Sequence, residues 1–174
     1  MIRKAIDTLS DKLSGGFSLS KSRLETLCLL IIGVASVRTV NLSHICAEMP
    51  TEAKIESTYR RLQRFFQFVD LGSDWSAAPT VQMLGLSGKW YLSLDRTNWK
   101  IGKKDINLLV LAVVSRRYRV PLMWSVLGKA GNSNTSERMD LMQRYLNLFG
   151  ASSIKVLFAD REFIGLEWLT FLDD

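Results

Sequence analysis

The stretch "LSLDRTNW", residues 92–99, decides how this chain is read. Alternating apolar residues run up to Asp95, and a polar run of Arg, Thr and Asn follows at once. The arrangement returns as "VLFADREF", residues 156–163, around Asp160. Side chains of a strand alternate between its two sides, so Tyr91, Ser93 and Asp95 share one face. Aspartate is a common turn former, which by itself accounts for either acid. Two apolar strands that each end on Asp-Arg also suit a site holding two carboxylates at one sheet edge.

The residues downstream supply that sheet. "INLLVLAVVS", residues 106–115, reads as a fully apolar strand, and "RVPLMWSVL", residues 119–127, as a third. The basic turn "RRYR" separates them, and the three strands are expected to pair as an antiparallel meander. A helix is expected over 135–149, capped by Asn134 with Glu137 three residues on and ended by Gly150. Met142, Tyr145, Leu146 and Phe149 form its apolar face. A buried strand over 154–160 and a helix within "EFIGLEWLTFL" complete a β-β-β-α-β-α order. A right-handed crossover lays the fourth strand parallel to the first. Asp95 and Asp160 then meet at one edge, where ligand sites of such sheets gather. "GKAGNS" lacks the GxxxxGK[ST] spacing of a phosphate loop and reads as a plain loop with a good cap. Glu162 reads as a solvated acid in the first turn of the last helix, and Glu167 similarly.

Upstream, residues 1–20 show no clear period, and "SGGFSLSKS" reads as a flexible lead. A helix is expected over 22–37, with Ser22 and Glu25 as a capping box. A short helix over 41–49 stops at Pro50. A third helix, 55–69, carries an apolar stripe of Ile55, Tyr59, Leu62, Phe66 and Val69. Arg60, Arg61 and Arg64 lie off the stripe as candidate DNA-binding residues. Three short helices with the last one basic suit a helix-turn-helix-like DNA module, or a bundle with a solvated basic face. Residues 71–88 read as a linker, with a short helical turn at 81–84. The expected organisation is a helical region over 1–70, that linker, and a sheet domain over 89–174.

Composition narrows the chemistry. The chain has 174 residues, 47% hydrophobic and 23% charged, which is ordinary for a globular protein. No apolar run reaches the ~18 residues of a membrane span, and the longest, 27–37, lies inside the chain, so neither a membrane anchor nor a signal peptide is expected. The expected compartment is the cytoplasm. His44 is the only histidine, and Cys28 and Cys46 the only cysteines, without CxxC spacing. A zinc site and a Ser-His-Asp triad are therefore not expected, and His44 reads as structural. The net charge of +6 and pI near 9.5 favour an anionic partner such as nucleic acid.

"YLSLDRTNW", "GNSNTSER" and "LFADREFIG" resemble the catalytic-domain motifs of DDE transposases from bacterial insertion sequences, the cut-and-paste group with a ribonuclease-H-like core. "STYRRLQRFF" is similar to the helical segment before that core. The resemblance spans roughly residues 20–174. It implies an α/β fold: a small helical domain, then an incomplete ribonuclease-H-like mixed sheet. It also implies metal-dependent cleavage and strand transfer of double-stranded DNA, transposon ends and target, by a protein acting as a homodimer at the nucleoid. Asp95 and Asp160 would be the first and second metal-binding acids, catalytic with Mg2+ or Mn2+, two ions in the complete enzyme. Asp95 would bridge the ions and Asp160 bind one. Arg96, Asn98 and Arg161 would hold phosphates or orient the acids. The family's third acid, a Glu in a Tyr-Arg-Glu-Lys type motif, would fall beyond Asp174, so this chain alone is expected not to cut DNA. The alternative is a non-catalytic DNA-binding or partner-binding regulator derived from such an enzyme.

Overall fold

The computed structural model describes residues 2–16, 19–49 and 53–173. Two compact units meet in sequence between Ser73 and Asp74.

The first unit is helical: α1 (Ile2–Leu13), α2 (Lys21–Val37), α3 (Leu42–Glu48) and α4 (Ile55–Phe68). α1 forms where no period was expected, because Ile6, Leu9 and Leu13 recur every three or four residues and pack with Leu24 and Cys28 of α2. The capping box at Ser22 does not form. α2 starts earlier, with Ser20 as its N-cap and no side-chain cap bond. Asn41 does cap α3, accepting from the Ser43 N–H. The stop expected at Pro50 lies outside the described residues. Gly33 lets α2 and α3 approach closely, since a Cβ there would lie 2.6 Å from Ile45 Cγ2. The two helices bend by 91°. Of the expected stripe α4 buries Leu62, but Thr58 and Phe65 join it in place of Ile55 and Phe66, which are 57% and 66% exposed. Phe65 and Phe66 lie three and four residues after Leu62, so sequence spacing permits either phase. Packing selects Phe65. Among the described residues no single helix is long and apolar enough to cross a membrane.

The second unit is α/β: α5 (Ala77–Leu84), β1 (Trp90–Ile101), β2 (Lys104–Val114), β3 (Arg119–Leu127), α6 (Thr135–Phe149), β4 (Ile154–Ala159) and α7 (Leu166–Asp173). The strands lie in the order β3-β2-β1-β4. β1–β2 and β2–β3 are antiparallel and β1–β4 is parallel, as the crossover argument requires. One face of the sheet buries Leu92, Leu94, Leu109, Leu111 and Val113 against Leu141, Met142 and Tyr145 of α6 and Trp168 of α7. From Asp74 onward the expected linker belongs to this unit. Ala77 of α5 is fully buried in the same core, and Arg144 binds Asp74 at 2.7 Å. α5 is also longer than the expected turn at 81–84.

β1 differs from expectation where it matters most. Asp95 does not end the strand, and "RTNW" is not a turn. Arg96, Thr97, Asn98 and Trp99 pair with Leu109, Leu108, Asn107 and Ile106 of β2. The chain reverses only after Ile101, at Gly102, whose φ of +62° suits a tight hairpin.

Candidate metal centre

The last paired residues of β1 and β4 are Leu94 and Ala159. Asp95 and Asp160 are the next residue on each chain, so the parallel register brings the two acids to neighbouring positions where β4 ends. Asp95 belongs to the face of Tyr91 and Ser93, opposite the core. Tyr91 stacks on Phe158 at 6.0 Å, which carries that face across to β4. Both acids are exposed. Each is steadied the same way: the backbone N–H of the next residue donates to its Oδ1, 2.7 Å from Arg96 to Asp95 and 2.6 Å from Arg161 to Asp160. In front of Asp95, on β1 to β3, lies an open cavity of about 380 Å³ whose lining includes Ser93, Thr97, Trp99, Arg119 and Trp124.

Oxygen-only donors suit Mg2+ or Mn2+, and exposed carboxylates leave room for the waters these ions keep. Among the described residues no third His, Cys, Asp or Glu gathers with the two aspartates. Glu162 does not, because it is engaged elsewhere. It lies in the turn between β4 and α7, not in the first turn of a helix. There it accepts from Arg96, Nε to Oε1 at 3.2 Å and Nη2 to Oε2 at 3.3 Å. Arg96 Nη2 also donates to Asn132 Oδ1 at 3.1 Å. Arg96 stands on the core side of β1, with Leu92 and Leu94, so it faces away from Asp95. Glu167 is exposed on α7.

Neighbouring polar groups hold the loop 128–134 beneath this end of the sheet. Asn107, 1% exposed, donates to the carbonyls of Gly131 and Lys129 at 2.7 and 3.2 Å. The expected capping box of α6 is present in both directions between Asn134 and Glu137. Buried Arg138 binds Ser133 and lies 5.1 Å from the ring centre of Phe163. Asn107, Asn132 and Arg138 carry no periodicity or spacing signal, so sequence reasoning missed them. Burial would raise the Glu137 carboxyl, but the Asn134 backbone N–H and the Lys129 ammonium outweigh it and hold it below the usual range.

The candidate DNA-binding residues part company. Arg61 donates to Thr26 Oγ1 at 2.7 Å and to the Ser22 carbonyl at 2.8 Å, which ties α4 to α2. Arg60 and Arg64 are exposed, as are Asn98 and Arg161. Arg96 is committed to Glu162 and Asn132. His44 is exposed, and both cysteines are buried. Burial, aided by the nearby Glu25, pushes the Cys28 thiol up to about 11, which keeps it protonated and unreactive.

No family model, curated protein or solved structure matches this chain.

Proposed function

We propose that the chain is a DDE-type transposase whose second unit has a ribonuclease-H-like core. Asp95 and Asp160 are its metal-binding acids. The observation that carries this reading is the register: each acid follows the last β1–β4 pair, Leu94 with Ala159. Neighbouring parallel strands lie about 4.8 Å apart, and two ions of a phosphoryl-transfer site lie about 4 Å apart, so the spans agree. The chemistry supplied by bound Mg2+ or Mn2+ is activation of a water or 3′-hydroxyl and stabilisation of the leaving oxygen. The residues of this chain hold and orient. Asp95 and Asp160 present carboxylate oxygens fixed by the backbone N–H groups of Arg96 and Arg161. Exposed Arg60, Arg64 and Arg161 are suited to the phosphates of double-stranded DNA. The enzyme would act as a homodimer on transposon ends, in the bacterial cytoplasm at the nucleoid.

A second reading, a non-catalytic DNA-binding or partner-binding regulator, is favoured by the two acids having no third ligand with them among the described residues. Calorimetric titration with MnCl2, beside anisotropy of a labelled DNA duplex, separates the two. The transposase reading expects Mn2+ binding that Asp95→Asn and Asp160→Asn each abolish. Duplex binding with no Asp95-dependent Mn2+ uptake would establish the regulator instead.

A further inference from the structure

The geometry points to Arg96 as the positioning residue that sets the spacing between the two aspartates, by gripping Glu162 in the turn that Asp160 opens. This rests on the metal reading above and adds how the site is kept in shape.

The backbone ladder stops one residue short of both acids. Its last rung joins Leu94 to Ala159, so no β1–β4 pair holds Asp160 beside Asp95. Past that rung, Asp160 depends on its own turn, closed by the Phe163 N–H donating to the Asp160 carbonyl at 2.9 Å. Glu162 is the third residue of that turn. Arg96 reaches it with two nitrogens on two oxygens, a fork that fixes direction as well as distance. The side chains are 15% and 24% exposed, so water screens the pair only in part.

Strand alternation explains why Arg96 can serve here. Asp95 and Arg96 are consecutive, so one faces the open side and the other the core side. The arginine therefore clamps β4's turn from behind without neutralising the carboxylate in front. Its third bond, to Asn132, anchors the clamp to the loop before α6. Phe163, 3% exposed and lying against Arg138, pins the far end of the turn. Each acid motif thus supplies half of the brace: the Arg after the first acid and the Glu two residues after the second.

The test uses the full chain with Arg96→Gln, Glu162→Gln, the double variant and Arg96→Lys. Two readouts are taken: Mn2+ affinity, and hydrogen exchange of the Arg161 and Phe163 amides. Outer partners of metal ligands typically govern affinity by 10–100-fold. Each single Gln variant is expected to weaken Mn2+ binding about tenfold and to speed exchange at Phe163 more than at core amides of β2. The double variant should be no worse than either single, because the pair acts as a unit. Arg96→Lys should not rescue, since an ammonium cannot make the fork. Additive effects, or a lowered melting temperature with wild-type affinity and unchanged relative exchange, would overturn the proposal. If the unaltered chain takes up no Mn2+, the metal reading fails while the exchange data still decide whether Arg96 braces the turn.

Discussion

The two Asp-Arg motifs share letters and a local bond but are held by different physics. In both, the N–H after the acid donates to its Oδ1. Around Asp95 the strand continues, paired with β2 on both sides of the acid and anchored below by fully buried Leu92 and Leu94. Around Asp160 the strand is ending, and it lies at the sheet edge with Phe158 half exposed. The arginines differ as sharply. Arg96 is bound by Glu162 and Asn132, whereas Arg161 is exposed. The first motif is held within a paired strand, and the second in a turn tied to it by the Arg96–Glu162 contact.

Truncating the anchors should break this comparison most visibly. Leu92→Ala removes a core side chain from a site with no exposure and should lower unfolding free energy by about 3 kcal/mol. Phe158→Ala, on the half-exposed edge, should lower it by about 1 kcal/mol. Equal losses in urea titrations would show that β4 is anchored as deeply as β1. The arginines give the next largest contrast. Arg96→Ala strands a partly buried carboxylate and should lower stability by about 2 kcal/mol. Arg161→Ala should change it by less than about 0.5 kcal/mol. If Arg161→Ala proves the more damaging, the two roles are reversed.

The smallest effect is in acid. The Glu137 carboxyl lies below its usual range, so the folded unit holds fewer protons there than the unfolded chain. Its contribution is full above the unfolded value of about 4.3 and is lost as pH falls through the lower folded value. Glu137→Gln should therefore flatten the acid limb of stability against pH while leaving the slope near neutrality unchanged. An unaltered acid limb would remove Glu137 from the brace around loop 128–134.

What could be read from sequence follows from which forces are local. α6 was legible to the residue, because Asn134, Glu137 and Gly150 are local stop and start signals that the structure uses. The sheet order was legible because crossover handedness leaves few choices. The end of β1 was not. Thr97 and Asn98 are common turn residues, yet their backbone groups pair with β2, and the turn waits for Gly102. In α4, Phe65 and Phe66 gave two possible phases, and contact with the other helices chose one. The same contact withdrew Arg61 from the basic face, which no property of "YRRLQR" could foretell. At the candidate site the acids were legible as motifs, while Arg96's partners were not. Glu162 and Asn132 are far from it in sequence and meet it only through the fold.

The central claim is that Asp95 and Asp160 hold a divalent ion together. Substoichiometric Mn2+ added to the isotope-labelled chain tests it most directly, since the ion broadens amide signals around it. The account predicts that the Arg96 and Arg161 amides broaden at the same low Mn2+ level while the Gly102 amide, in the hairpin turn that follows β1, stays sharp, and that Asp95→Asn removes both effects. Broadening centred on Glu167, or on only one of the two motifs, would contradict it.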